Sequence, residues 1–203
     1  MRIIDPESSS ALGFLTVLEY PEHGLIGGYL VLNRAGRPLE FHCTAPVKPN
    51  RAQQILYGPT LEPYLFGEQI GHALLSRGAA EPALICTDRE PALAVRQFVE
   101  VPVALVIPDG TRIDPQSDST REAEPPGALA AEARVYRLDS PHPTRAGPPA
   151  FRLGRNCLAV SPMADGDRDL IASRLGELAE TFDLAEPFQR IREAIEEAVG
   201  SRQ

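Results

Sequence analysis

The sequence predicts an α/β or α+β fold on three observations. Three strand-like runs separated by turn residues open the chain, and they predict an antiparallel β-meander. Helical and strand patterns then alternate, so the meander is expected to continue into a mixed sheet with packed helices. A proline-rich insert and a pair of helical patterns end the chain. With 203 residues, of which 43% are apolar, the chain is long enough to bury a core.

The meander is predicted from apolar and aromatic runs whose breaks have turn chemistry. The predicted strands cover 12–20, 25–33 and 39–47, and the breaks between them cover 21–24 and 33–38. Within the second strand, the adjacent glycines Gly27 and Gly28 predict either a bulge or the close approach of another element.

Helix caps and hydrophobic periodicity predict the rest of the first 108 residues. In order, the predicted elements are a helix over 51–57 capped by Asn50, a helix between the cap Thr60 and Gly78, a strand over 82–87, a helix over 90–99 and a strand over 101–108. Gly67 and Gly71 lie four residues apart in the longer helix, which predicts that a neighbouring element packs closely there. Residues 1–108 are therefore predicted to form an α/β core domain.

The composition changes over 109–150, where seven prolines, many charges and few large apolar residues predict a flexible insert or linker. One short strand over 134–138 is predicted within it. Residues 151–203 are predicted to form a strand and then two amphipathic, acidic helices. Asp167 caps the first of these helices and Pro187 opens the second. Their apolar stripes either close over the sheet or dock on a partner protein.

Charge and cysteine usage exclude several classes of function. The net charge of −8 argues against broad binding to nucleic acid or to an anionic membrane. The beginning of the chain lacks the pattern of a secretion signal, and the longest apolar run, 101–108, is too short to cross a bilayer. The three cysteines are widely spaced and form no CxxC, so no disulfide framework, metal site or cofactor is predicted. A soluble, cytoplasmic protein is expected, from a bacterium with GC-rich coding because arginine, alanine, glycine and proline are abundant.

The third predicted strand carries the most chemistry. Its periodicity places Leu39, Phe41 and Cys43 on one face and Glu40, His42 and Thr44 on the other. Neighbours in a strand point apart, so the pattern argues against a catalytic dyad of thiol and imidazole. Cys43 is predicted to be a core residue, because free cysteine is among the most buried residue types. The polar face is either solvated or one wall of a pocket in which the histidine titrates near neutral pH.

Two further places combine charge with a favourable position in the chain. Lys48, the only lysine, and Arg51 flank Asn50 at the start of a predicted helix. Helix amides together with two cations can hold a phosphate or carboxylate, although chance survival of the lysine in a tolerant loop explains the pattern equally. Asp88 follows a buried strand, where open α/β sheets often bind ligands, and the alternative is that it caps the next helix.

Two functions from different classes follow from these patterns. The first is a non-enzymatic accessory or adaptor subunit that binds a larger protein partner through the C-terminal helices, because catalytic motifs such as GxSxG and HExxH are missing. The alternative is a small hydrolase or nucleic-acid-processing component. Its general base would be His42 or Glu40, while Lys48 and Arg51 would stabilise an anionic transition state. Its remaining candidate residues are Thr44 and Asn50 for ligand binding and Asp88 for catalysis.

Overall fold

The computed structural model describes residues 11–108, 148–164 and 166–200, which include seven β-strands. The strands are β1 (Leu12–Tyr20), β2 (Gly24–Leu32), β3 (Pro38–Cys43), β4 (Leu84–Thr87), β5 (Val103–Ile107), β6 (Ala150–Leu153) and β7 (Asn156–Val160). They form one mixed sheet in the order β3-β2-β1-β4-β5-β7-β6. The predicted α/β class, with a meander that continues into a mixed sheet, is confirmed.

Helical segments connect these strands and follow them. They are α1 (Arg51–Tyr57), a 3-10 turn (Gly58–Thr60), α2 (Leu61–Pro63), a π-helical segment (Tyr64–His72), α3 (Ala73–Leu75), a 3-10 helix (Glu90–Gln97), α4 (Asp167–Thr181) and α5 (Glu186–Gly200). We refer to α2, the π-helical segment and α3 together as the helical run 61–75. No helix within the described ranges is both long enough and apolar enough to cross a membrane.

The topology reverses direction between β1 and β4. The chain proceeds from β1 through antiparallel β2 to antiparallel β3, which forms one edge of the sheet. It then returns through the helical run 61–75 to β4, which is parallel to β1, and continues outward to parallel β5. The later strands complete the other side, with β7 antiparallel to β5 and β6 at the far edge.

Two hydrophobic cores lie on the two faces of this sheet. In the first, Phe14 of β1 packs edge-on against Phe188 of α5, with ring centroids 5.7 Å apart. In the second, Leu15 packs with Ile70 of the helical run and with Val95 of the 3-10 helix. Successive residues of β1 therefore point into different cores, as strand geometry requires. A strand in this position is buried on both faces, which explains its nearly continuous apolar sequence.

The adjacent glycines of β2 mark a close approach of helices on both faces. A side chain at Gly27 would collide with Ile70, and one at Gly28 would collide with Ile191 and Ile195 of α5. The register shift in this strand pair instead lies between Val31 and Leu32. Of the two predicted reasons for the glycines, the structure supports the close approach.

The closely packed glycine pair in the helical run has a similar role. A Cβ at Gly67 would lie 2.7 Å from the Cβ of Ala94, and one at Gly71 would lie 3.1 Å from Val95. Both neighbours belong to the 3-10 helix. The predicted approach of a neighbouring element is confirmed, and it joins the two connections that cover this face of the sheet.

The predicted single strand over 151–160 is wrong, because the chain reverses inside it. Leu153 of β6 pairs with Asn156 of β7 across a two-residue turn. Gly154 in that turn has φ +56°, a conformation that glycine adopts without the steric cost of a Cβ. A glycine at the first central position is the signature of a type II′ hairpin turn.

The two C-terminal helices place their apolar stripes on the sheet. Ile171 and Leu175 of α4, and Phe188, Ile191 and Ile195 of α5, are buried in the first core. Of the two predicted arrangements, closing over the sheet is the one observed. The predicted strand over 134–138 and most of the predicted insert lie outside the described residues.

Asp167 links α4 to the 3-10 helix Glu90–Gln97, which packs on the opposite face of the sheet. It is the first residue of α4, and its carboxylate accepts hydrogen bonds from Nε (2.6 Å) and Nη2 (3.0 Å) of Arg96. The same guanidinium donates through Nη1 to the carbonyl of Val99, 2.7 Å away. The Asp167 side chain is almost fully buried. The carboxylate predicted to cap the helix therefore forms a two-point ion pair with the 3-10 helix.

Candidate functional site

Glu40 connects the edge strand β3 to the segment that follows the helical run 61–75. Its carboxylate accepts hydrogen bonds from the backbone N–H groups of Ala79 (3.0 Å) and Ala80 (2.6 Å). His42 lies two residues along the same face, with Nε2 3.2 Å from the Glu40 carboxylate. Partial burial would raise the pKa of Glu40, but the hydrogen bonds from Ala79, His42 and Ala80 outweigh it and hold the pKa below its ordinary value. A carboxylate with these partners is suited to anchoring a loop rather than to accepting a proton in catalysis.

The depressed pKa of Glu40 makes part of the stability depend on pH. The ionised group stabilises the fold above its ordinary pKa of 4.5, and this contribution is lost as pH falls through the lower folded-state pKa. We expect Glu40→Gln to lower the unfolding free energy at pH 7 by about 2 kcal/mol, because it weakens hydrogen bonds to a charged acceptor. Urea unfolding from pH 7 to pH 3 should show the difference shrink below pH 4.5. A difference that stays constant over this range, or an equal one for the exposed Glu62→Gln, would contradict the assignment.

The polar residues after β3 hold the chain where it leaves the sheet. Thr44 accepts a hydrogen bond on Oγ1 from the Gly27 N–H, 2.9 Å away. The ammonium group of Lys48 donates a hydrogen bond to the carbonyl of Glu22 in the turn between β1 and β2. The partners of these two residues are backbone groups of the meander.

The start of α1 has the cap that the sequence predicts. Asn50 accepts from the Gln53 N–H at 2.8 Å, and Gln53 accepts from the Asn50 N–H at 3.0 Å, which forms a complete capping box. Arg51 is exposed at the first position of this helix. The amide groups that a ligand would use are thus partly occupied by the helix's own cap.

Asp88 lies at the switch point between β1 and β4. It accepts a hydrogen bond on Oδ1 from the buried hydroxyl of Thr16, 2.6 Å away, and its Oδ2 lies 3.7 Å from Nη2 of Arg192 on α5. Thr16 alternates with residues of the second core, so its side chain points to the face that α5 covers. Asp88 therefore belongs to the α5 side of the sheet.

The structure does not bring Asp88 together with the polar residues of β3. His42 pairs with Tyr29, a member of the second core, and therefore faces the side opposite α5. Strand pairing connects His42 to Thr87 through Tyr29 and Leu15, a distance of three strand spacings. At about 4.8 Å per spacing, the two residues are roughly 14 Å apart. The predicted candidates divide into loop contacts on one face and a separate Thr–Asp–Arg cluster on the other.

The opposite side chains of β3 form an exposed apolar surface. Leu39 is 46% and Phe41 is 40% exposed, and Cys43 is exposed as well. The prediction that Cys43 is a core residue is wrong. The reason is position in the sheet, because α5 packs over β1 and β2 whereas β3 is the outermost strand. We refer to Leu39, Phe41 and Cys43 as the β3 strip.

An apolar cleft of about 110 Å³ adjoins the Cys43 end of the strip. It is lined by residues of the meander and of α5, namely His23, Ile26, Cys43, Thr44, Pro46, Ile195, Ala198 and Val199. Most of its surface is aliphatic. The strip and the cleft together make a continuous path of apolar groups from the β3 edge of the described sheet to the side of α5.

Among the residues that the structure describes, no strand pairs with the outer edge of β3, so its backbone presents outward-facing groups there. Thr44 donates its N–H to the carbonyl of Gly27 on β2. Hydrogen-bonding direction alternates along an antiparallel strand, so His42 also faces β2, and Phe41 and Cys43 direct their N–H and C=O groups outward. Pro38, which has no N–H, occupies the first position of the strand. The outward groups therefore coincide with the residues of the strip.

The C-terminal end of α5 is acidic. Its final turns expose Glu193, Glu196 and Glu197, and residues 193–200 include no lysine or arginine. The residues of α5 that line the cleft are instead Ile195, Ala198 and Val199.

Sequence comparison and structural comparison give different results for this chain. No protein-family model matches it, and no curated protein matches it. Among solved structures, it is similar to the crystal structure of Ciona intestinalis endonuclease V in complex with a 23mer DNA containing an inosine followed by a ribo-adenosine. The sequences are 12% identical, and the TM-score is 0.33. The match covers 48% of this chain and 45% of that chain, so this chain spans less than half the length of its structural neighbour.

Proposed function

We propose that the protein is a non-enzymatic accessory subunit that binds a larger protein partner in the cytoplasm, and that the β3 strip and its cleft form the contact surface. The observation that carries the proposal is the exposure of three successive same-face side chains beside an apolar cleft. Contiguous apolar surface of this kind is typical of protein interaction sites, whereas isolated exposed apolar residues are ordinary.

The interactions of the polar candidates favour binding over catalysis. The polar candidates hold backbone groups of the meander, of the segment that follows the helical run, or of α1; these candidates are Glu40, Thr44, Lys48 and Asn50. The sheet separates Asp88 from the β3 residues. These arrangements support a scaffold whose polar side chains stabilise the surface-bearing elements.

The proposed surface differs in part from the one expected of the C-terminal helices. The apolar stripes of α4 and α5 are used in the chain's own first core, so they do not supply the contact. α5 contributes only its side, through Ala198 and Val199. The partner is therefore proposed to contact α5 and β3 together.

A charge placed in the strip tests the proposal. The partner is first identified by affinity purification from cells that express the protein, followed by mass spectrometry. Its dissociation constant is then measured by calorimetry with the purified wild type, with Phe41→Asp and with Met163→Asp. Phe41→Asp should weaken binding by about 30-fold or more, the effect of losing one central interface residue.

The Met163→Asp variant is the matched control. Met163 is 83% exposed and lies between β7 and α4, away from the strip in the chain. It should bind as the wild type does, and the thermal unfolding of both variants should match that of the wild type. Equal affinities for the wild type and Phe41→Asp would overturn the proposal, as would an equal loss for both variants.

A further inference from the structure

A second cavity lies at the amino ends of β4 and β5, and we refer to it as the charged cavity. Its volume is about 650 Å³, within the roughly 300–1,000 Å³ that sites for small molecules occupy. Part of its lining is aliphatic, namely Pro82, Ala83, Val101 and Leu175. The rest of the described lining consists of two arginines and two glutamates, namely Arg34, Arg174, Glu81 and Glu100.

The two signs of charge come from opposite faces of the sheet. Arg174 is on α4, which packs in the first core, and Arg34 is in the turn between β2 and β3, which accepts a hydrogen bond from α5. Glu81 and Glu100 lie in the segments that follow the helical run 61–75 and the 3-10 helix. Both of those helical elements pack in the second core. The charged cavity therefore has arginines on one side and glutamates on the other.

These charged groups are accessible to a ligand. All four residues are exposed. Within the described ranges, the side chains of Arg34, Arg174 and Glu81 form no hydrogen bond or ion pair. Glu100 interacts electrostatically with Arg96, whose guanidinium is already bound to the Asp167 carboxylate. A ligand would thus bind the arginines and Glu81 without first displacing a partner.

The backbone that carries these groups is held in place. The side-chain oxygen of Asn33 accepts hydrogen bonds from two backbone N–H groups of its turn, both at 3.0 Å, and so fixes the turn around Arg34. Ala83 donates its N–H to the carbonyl of Ala11, 2.8 Å away, which fixes the segment after Glu81. The two-point ion pair described above holds α4. A cavity formed in advance loses less conformational entropy when it binds a ligand.

The combination of charges selects the chemistry of the ligand. Guanidinium groups bind carboxylates through paired hydrogen bonds, and carboxylates bind ammonium groups. A simple anion would be attracted by the arginines but repelled by the glutamates, and a simple cation would meet the opposite problem. A molecule with one group of each sign gains from both sides. The aliphatic part of the lining favours an apolar group between them.

We propose that the charged cavity binds a zwitterion with an aliphatic side chain, either a free amino acid or a short peptide with free termini. Arg34 and Arg174 bind its carboxylate, and Glu81 and Glu100 bind its ammonium group. The proposal is independent of the proposed function, because the described lining of the charged cavity shares no residue with the β3 strip or its cleft.

Ligands with one end blocked test the proposal. The isotope-labelled full chain is titrated with leucine, alanyl-leucine, N-acetylleucine and leucinamide, and chemical-shift changes give each dissociation constant. N-acetylleucine lacks the ammonium group and leucinamide lacks the carboxylate, so each should bind about tenfold more weakly than leucine. Glycine, which has no side chain, should also bind more weakly. The comparison of leucine with alanyl-leucine shows whether the site prefers an amino acid or a peptide.

Two variants assign the two signs to their sides of the cavity. Arg174→Gln should weaken leucine binding by about tenfold and leave leucinamide binding unchanged, because leucinamide has no carboxylate. Glu81→Gln should weaken leucine binding similarly and leave N-acetylleucine binding unchanged. Arg155→Gln and Glu62→Gln are the matched controls, since both residues are exposed and absent from the described lining. The controls should bind leucine as the wild type does.

Several results would overturn the zwitterion site. One is that neither leucine nor alanyl-leucine binds. Others are that a blocked ligand binds as tightly as leucine, that O-phosphoethanolamine binds more tightly than both zwitterions, or that the control variants lose as much affinity as Arg174→Gln. Phe41→Asp should leave leucine binding unchanged. Failure of the zwitterion site therefore leaves the proposed function standing, and a partner that ignores Phe41→Asp leaves the zwitterion site standing.

Discussion

Shortening the chain to residues 1–108 is expected to abolish folding. Half of the first core comes from beyond residue 150, since ten of its twenty buried members belong to β6, β7, α4, α5 or the segment between the two helices. At about 1.5–3 kcal/mol for each buried apolar side chain, their removal costs roughly 15–30 kcal/mol, more than the 5–15 kcal/mol that stabilises a typical domain. The removal also leaves the outer edge of β5 unpaired.

Circular dichroism and denaturant unfolding measure this effect, and the complementary fragment provides the control. Residues 1–108 alone should show no cooperative unfolding transition, and residues 148–203 alone should show none. Mixing the two fragments should restore a transition, because the described parts of the sheet then come together. A cooperative transition for 1–108 alone would show that the meander, β4 and β5 form an independent domain, contrary to the shared core described above.

Replacing Asp167 by alanine is expected to have the second-largest effect on stability. The substitution removes both hydrogen bonds from the carboxylate and leaves the Arg96 guanidinium largely buried without its counter-ion. Breaking such a pair costs about 3 kcal/mol, the lower end of the usual range because Arg96 is partly exposed. For a protein of this size the loss corresponds to a decrease in Tm of roughly 6–12 °C.

The neighbouring Asp169 provides a matched control in the same helical turn. It is exposed, so Asp169→Ala should change the Tm by no more than about 2 °C. Thermal unfolding of the two variants is compared under identical conditions. If Asp167→Ala is as stable as Asp169→Ala, the ion pair does not hold α4 to the 3-10 helix in solution.

Local sequence signals were sufficient for most of the element order. The strand over 12–20 follows from a continuous apolar run, and the cap at Asn50 follows from a preferred residue type at a helix start. The mixed sheet follows from the alternation of helical and strand patterns. In each case the residues that determine the structure are neighbours in the chain.

The errors arise where distant parts of the chain decide the outcome. Periodicity gives the two faces of β3 correctly, but it does not reveal that β3 is an edge strand of the described sheet or that α5 packs mainly over β1 and β2. Cys43 was therefore predicted to be a core residue although it is exposed. The Gly154 turn is different, because a type II′ glycine was available as a local signal inside the predicted strand.

The candidate site could be predicted only as a set of polar residues. Whether Glu40 acts as a base or anchors a loop depends on which groups contact its carboxylate. Its backbone partners Ala79 and Ala80 lie 39 and 40 residues further along the chain. The position of Asp88 on the α5 face depends likewise on Arg192. The sequence did carry a signal for the exposure of the β3 strip. A strand that ends a meander and begins with a proline is typical of a sheet edge.

The reactivity of Cys43 measures the central claim most directly. In the free protein this exposed thiol should react readily with an alkylating reagent. Cys86 and Cys157 are buried and should stay unmodified, and burial also raises the pKa of Cys86. When the purified partner is bound, alkylation of Cys43 should slow by about tenfold or more, as expected for a residue covered at the centre of an interface. An unchanged rate in the saturated complex would place the partner elsewhere and contradict the account.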